Sequence, residues 1–438
     1  MRCDRHKVHS GEVRMKKWTM FLCIGLLAIT SVLTACRSAA TPESAEIQPP
    51  ATSPVAGDTP PTASPPTATP TPIPSPTLTP QPTLLPPAVP LDRIAQGQRL
   101  GRGVNLGNAL EAPTEGEWGM VLQEEYFRLI AEAGFDTIRV PIRWSTHALE
   151  EPPYTVDESF FQRVDWVIEN GLANGLNVVI NMHHYEEIFE TPGAHTERFI
   201  AIWQQIATRY KDKPDNVYFE PLNEPHGGLT QDKWRRLLDD TILAIRRIDN
   251  RHTLIVTGAD WGGYRALANL RLPEGEENYV CTFHFYDPML FTHQGASWSG
   301  PGYQTLGVTW PGPPATPVAI DPEAAKVGWV LTWFRQYNTL ATESNPAGYK
   351  MIRDAFDAAA KVGEKLDCVL WLGEFGAFEK ADMQSRVNWT TFVRETAEAH
   401  GMSWAYWEFG SGFGVYDRQA GQWHEALLRA LIPEPSVD

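Results

Sequence analysis

From residue 91 onward the chain repeats one pattern eight times: a short apolar run, then a longer stretch with the spacing of an amphipathic helix. The runs fall at 103–107, 137–142, 177–183, 217–223, 253–258, 280–286, 368–374 and 403–408. Between them lie stretches such as EEYFRLIAEAG, ESFFQRVDWVIENGLANG and QDKWRRLLDDTILAIRRID. Gly134, Gly175 and Gly401 follow several of these as left-handed caps would. Eight strands alternating with helices predict an α/β fold, the (β/α)8 TIM barrel, as one domain over residues 91–438. A doubly wound open sheet would share the alternation, but no glycine-rich phosphate loop supports it.

The first 90 residues follow different rules. Residues 41–90 hold 17 of the 36 prolines, mixed with Thr, Ser and Ala, and no Lys or Arg. Such a segment cannot bury enough apolar surface to offset its ordering entropy, so 37–90 reads as a disordered, extended Pro/Thr/Ser-rich linker. Ahead of it, Met15-Lys16-Lys17 precede an apolar run from Met20 to Ala35 and then Cys36. A positive start with a short apolar core predicts a secretory signal rather than a membrane-spanning helix. Leu33-Thr34-Ala35-Cys36 resembles the bacterial lipobox, so residues 1–36 are expected to end at a lipidated Cys36. The alternative is an ordinary signal cut near Ala35. The true start is Met1 or Met15.

Without its first 90 residues the chain carries 30 Lys and Arg against 48 Asp and Glu. An acidic surface of this kind disfavours nucleic acid and anionic membranes, leaving a lipid at Cys36 as the expected membrane contact and a neutral molecule as the expected substrate. Two cysteines remain, Cys281 and Cys368. Counting alternate residues back from His284 and Glu374 places them on opposite faces of their strands, so buried free thiols are expected rather than a disulfide.

In a barrel of this type, chemistry gathers where the strands end. Arg139 lies in the second run, and the third ends in His183 and His184. The fourth ends in Asn223 and Glu224, the sixth in His284 and Tyr286, the seventh in Glu374 and the eighth in Trp407. Glu224 and Glu374 would face each other across the barrel, as a pair that cleaves a glycosidic bond must. His183 and His184 are neighbours on one strand and point to opposite faces, so they cannot both ligate one metal ion, and neither metal nor cofactor is expected.

GVNLGNALEAP, IRVPIRWS, NMHHYEE, LNEP, HFYDP, GEFGA and AYWEFGSGFGVYD, in that order, resemble glycoside hydrolase family 5 over residues 95–432, most of all its bacterial endoglucanases, some of which also cut mannans. The resemblance implies that Glu224 is the acid/base, its pKa raised by negative Glu374. Glu374 would be the nucleophile, held ionised by Arg139 and Tyr286. It implies Asn223 on the sugar 2-hydroxyl, His183 and His284 orienting the network, and Trp407 beneath the sugar. Asn105, His184, His293, Trp298 and Phe413 become candidate sugar contacts. The implied activity is retaining endo-hydrolysis of β-1,4-glucan by a monomeric extracellular protein at the cell surface. Mannan, glucomannan or xyloglucan are alternative substrates, and a non-catalytic polysaccharide-binding lipoprotein is the alternative from another class. More than 80 residues separate HFYDP from GEFGA, and this insertion is expected to build on one wall of the cleft.

Overall fold

The computed structural model describes residues 92–434. The expected signal segment, the linker and Cys36 lie outside these residues. Eight parallel strands form a closed barrel in chain order: β1 (Arg102–Asn105), β2 (Thr137–Val140), β3 (Asn177–Asn181), β4 (Val217–Glu220), β5 (Leu254–Val256), β6 (Tyr279–His284), β7 (Leu370–Phe375) and β8 (Ser403–Tyr406), with β8 pairing back onto β1. Each lies within its expected run except that β1 and β6 begin one residue early and β7 ends one late. The runs' polar ends bend away into the rim loops.

Helix α1 (Arg93–Arg99) crosses the N-terminal mouth of the barrel, capped by Asp92, whose carboxylate accepts from the backbone of Ile94 and Ala95. Outside the barrel run α2 (Glu124–Glu132), α3 (Glu158–Ala173), the short α4 (Glu186–Glu190), α5 (Pro192–Tyr210) and α6 (Gln231–Arg246). They are followed by α7 (Met289–Thr292), α8 (Gly328–Thr339), α9 (Tyr349–Leu366), α10 (Met383–Ala399) and α11 (Glu425–Leu431). Helix α5 shows why: Phe199, Ile202, Trp203, Ile206 and Tyr210 recur every three or four residues and bury one face on the barrel. After β5 the helix is reduced to a 3₁₀ turn, Ala266–Asn269. A two-stranded hairpin, β9 (Tyr416–Asp417) with β10 (Gln422–Trp423), follows β8.

Inside the barrel, side chains stack in layers. The lower layer is apolar: Leu100, Val179, Tyr218, Ile255, Val280, Trp371 and Ala405, all without exposed surface. Tyr218 closes it below by donating to the carbonyl and side-chain oxygens of Gln96 on α1, at 3.1 and 3.0 Å. Two residues further along β3 and β4 the side chains on this face become Asn181 and Glu220.

Cys281 and Cys368 form a disulfide, with Cα atoms 6.0 Å apart, contrary to the alternation count. The count failed at a bulge. Phe283 pairs with Leu372 but His284 pairs with Glu374, which leaves Gly373 unmatched. Any Cβ at Gly373 would stand 2.5 Å from Thr282 Oγ1. Below the bulge the parity of β7 is reversed: Trp371 faces into the barrel, and Leu370 and Leu372 join the outer core with Cys281 and Cys368. The bond spans a sequence separation of 87 residues. On a chain-entropy argument it contributes about 4–5 kcal/mol.

Candidate active site

The upper interior layer is organised by one guanidinium. Arg139, on β2 and without exposed surface, uses all five of its N–H groups. Nε and Nη2 reach the two oxygens of Glu220 at 2.7 and 2.8 Å, and Nη2 also reaches Asn223 Oδ1 at 2.7 Å. Nη1 donates to Asn105 Oδ1 at 2.9 Å and to Glu374 Oε1 at 2.6 Å. Tyr286 donates to the other oxygen of Glu374 at 2.8 Å. The Glu374 carboxylate is therefore fixed from two sides.

Glu224 sits just past β4 with φ of +44°, a left-handed conformation that costs a side-chain-bearing residue about 1–2 kcal/mol. Its neighbours hold it there. His226 Nδ1 donates to the Glu224 carbonyl at 2.6 Å, and the Trp261 amide donates to the Pro225 carbonyl at 3.2 Å. The conformation brings Glu224 Oε1 to 2.6 Å from His284 Nδ1, which is itself 3.5 Å from Glu374 Oε2. One ligand-type atom from each of Glu224, His284 and Glu374 lies within 4.8 Å of the others. The two carboxylates thus approach within 4.8 Å of each other, with His284 against both. These three residues are also the group of acids and histidines, among the described residues, that could hold a cation.

The charges distribute in an order the sequence reading did not give. For Glu224, burial raises the pKa, but the hydrogen bond and charge of His284, with Arg139 and His226, outweigh it and bring it below the carboxylate range. For His284, burial lowers the value, and the Glu374 charge and Glu224 hydrogen bond more than reverse this. Glu374 is raised, first by burial and then by Glu224, against the pull of His284 and Arg139. Both shifts favour the ion pair, with the proton on the imidazole, over a neutral Glu224.

Around this centre, His183 stacks on Trp407 with ring centres 5.5 Å apart and planes 14° apart, and Asn181 Nδ2 donates to its Nδ1 at 3.2 Å. Burial, then the charges of His184 and Arg139, hold His183 neutral. His184 lies beyond the end of β3, where strict alternation no longer applies, and meets exposed Trp118 edge-on at 5.7 Å. His293 packs 4.9 Å from the Tyr286 ring, and burial pushes its pKa down to about 4. Trp298 is half exposed and meets Phe378 edge-on.

Two of the expected sugar contacts are placed otherwise. Asn105 has no exposed surface, and its amide donates to the Gly373 carbonyl while its oxygen serves Arg139. Phe413 is buried in a cluster with Ala296 and Phe378, behind Tyr286 and Trp407. Both support the site from beneath. Sequence reasoning missed Glu220, although a lone acid in the run VYFE, in phase with inward Tyr218, was the available signal. It also missed the stack of Phe189, His226 and exposed Trp261, with successive ring distances of 4.0 and 3.5 Å, beside a surface hollow of about 330 Å³. The insertion after β6 carries His293 and Trp298 near its start. It anchors to the body where the Trp310 amide donates to Ser385 Oγ of α10 at 3.0 Å.

The sequence model of the family described as Cellulase (glycosyl hydrolase family 5) matches residues 101–412. Endoglucanase H of Acetivibrio thermocellus is 32% identical over 331 residues, which cover 74% of this chain and 32% of that protein. Endoglucanase 3 of Fibrobacter succinogenes is 26% identical, with 71% and 49% covered. The chain thus spans about a third of the length of the first of these curated relatives and about half of the second. Among solved structures, Thermotoga maritima Cel5A in complex with cellobiose is 45% identical at a TM-score of 0.68, covering 78% of this chain and all of that one. The same Thermotoga enzyme has also been solved with mannotriose.

Proposed function

Because this chain belongs to glycosyl hydrolase family 5, the cellulase family, we propose that it hydrolyses internal β-1,4 bonds of glucan with retention of configuration. The observation that carries the reading is the close pair of acids from β4 and β7, one joined to His284 and the other clamped by Arg139 and Tyr286.

Glu374 attacks the anomeric carbon, and its two fixed oxygens hold one lone pair on the line of attack. Glu224 gives a proton to the leaving oxygen and afterwards takes one from water. That proton is drawn from His284 along their 2.6 Å contact. Asn223 spends its oxygen on Arg139, which leaves its amide hydrogens for the sugar 2-hydroxyl. Trp407, braced by His183, is the platform under the sugar, with His184, His293 and Trp298 along the groove.

Glucomannan and mannan are the second reading, favoured by the mannotriose complex of the Thermotoga relative. Attachment to the outer cell surface through lipid on Cys36, with 37–90 as tether, completes the proposal. The disulfide suits an oxidising compartment, and no helix among the described residues is long and apolar enough to cross a membrane. The protein acts as a monomer.

Release of reducing ends from carboxymethyl-cellulose and barley β-glucan, run beside galactomannan and xyloglucan, tests the activity and ranks the substrates. Tight binding without release would instead identify a polysaccharide-binding protein. Loss of activity in EDTA with recovery in zinc would identify a metal-dependent hydrolase.

A further inference from the structure

We propose that Glu220 is a positioning residue for this reaction: by occupying one edge of the Arg139 guanidinium, it sets how much of that cation's charge reaches Glu374. The inference rests on the hydrolase reading above and goes beyond it. Glu220 is 1% exposed and lies beneath Arg139, so it touches no substrate.

The geometry is a cation shared between two acids. Arg139 holds Glu220 through two parallel bonds at 2.7 and 2.8 Å and Glu374 through one at 2.6 Å. All three side chains are within 5% of full burial, where water screens little. Were Glu220 neutral, Arg139 would be counter-ion to Glu374 alone, and a carboxylate paired so strongly is a weaker base and a weaker nucleophile. The titratable groups facing Glu374 are Arg139 from β2, Glu224 from the loop after β4, and His284 and Tyr286 from β6 and its loop. Glu220, Asn105 and Asn223 bear on Glu374 through Arg139, and of these three Glu220 is the acid.

Glu220 also reaches the sugar platform. Asn181 Nδ2 stands 3.4 Å from Glu220 Oε2 and 3.2 Å from His183 Nδ1, and His183 stacks on Trp407. One buried acid thus orients both the nucleophile's clamp and the ring that carries the sugar.

The test is the pH profile of kcat/KM on an aryl cellobioside for wild type, Glu220→Gln and Glu220→Asp. In Glu220→Gln the acid limb should move down by about one pH unit, kcat on the plateau should fall about tenfold, and KM should stay within about twofold. Glu220→Asp keeps the charge and should keep the acid limb in place, even where kcat falls. An unmoved acid limb in Glu220→Gln overturns the inference. Should that variant not fold, a displaced limb in Glu220→Asp overturns it and an unmoved one supports it. A wild-type protein that cleaves no aryl cellobioside would instead overturn the hydrolase reading, a distinct result.

Discussion

Two adjacent layers of the same barrel interior obey opposite rules. The lower one, from Leu100 to Trp371 and Ala405, is apolar and fully buried, with Tyr218 donating down to α1. The upper one, a few residues along the same strands, holds Arg139, Glu220, Glu374 and His284 in equally dry surroundings. Burying apolar surface stabilises at roughly 25 cal/mol per Å². Burying charges costs several kcal/mol each before pairing returns it, so the upper layer is held together without adding much to stability. The lower layer therefore sustains the fold, and the upper one is tolerated because of what it does. If so, substitutions above should change rate more than stability, and substitutions below the reverse.

The largest expected effect is on rate. Glu374→Ala should slow every substrate by several orders of magnitude, with azide restoring turnover to an inverted product. Glu224→Ala should spare formation of the glycosyl-enzyme from substrates with acidic phenol leaving groups, and azide should then give a retained product. Equal losses on good and poor leaving groups would remove Glu224 from the acid/base role. In Glu374→Gln the Arg139 charge keeps Glu220 as partner, so the melting temperature should hold or rise.

Arg139→Met is next, and it crosses the line between the layers. It leaves Glu220 and Glu374 buried without a cation, so unfolding in urea should show a loss of about 3–5 kcal/mol together with abolished activity. A stable but inactive Arg139→Met protein would mean that the upper layer stores no electrostatic cost. Below, Ile255→Val should cost about 1 kcal/mol with kcat unchanged at permissive temperature. A clear fall in kcat there would show that the layers are coupled through packing.

The same contrast explains what could be read from the sequence. Apolar runs at strand spacing mark the barrel because almost every inward and outward position below the rim is buried, so β2, β3, β6 and β8 all fell within about two residues of expectation. The motif residues converged because strand ends in a closed barrel must share one rim. The errors lie where a local irregularity breaks a counting rule. Gly373 inserts one residue and reverses parity for Cys368. Asn105 belongs to a sugar-contact motif but points inward, toward Arg139. Phe413 follows a turn pinned by Glu408, whose carboxylate accepts from the backbone of Ser411 and Phe413, and that turn folds the ring under rather than into the groove. Glu220 was missed for another reason: its phase with Tyr218 marked it as inward, but its role shows only once Arg139 is known to be its partner.

The smallest effect separates the layers by pH. His284 is raised above its ordinary 6.5, so the stability it adds is complete below that value and is lost as pH climbs through its folded pKa. Glu224 is lowered from its ordinary 4.5, so the stability it adds is complete above that value and is lost as pH falls through its folded pKa. Both contributions are complete between about 4.5 and 6.5. The stability difference between wild type and Glu224→Gln should peak there and shrink on either side. It should remain modest, because most of the attraction is offset by removing both groups from water. Ile255→Val carries no titrating partner, and its cost should be flat across the same range. Urea unfolding of both variants from pH 4 to 8 measures this, and parallel, flat differences would mean that Glu224 and His284 form no ion pair in the free protein. In that case the acid would hold its own proton at rest, and the transfer from His284 would drop out of the mechanism.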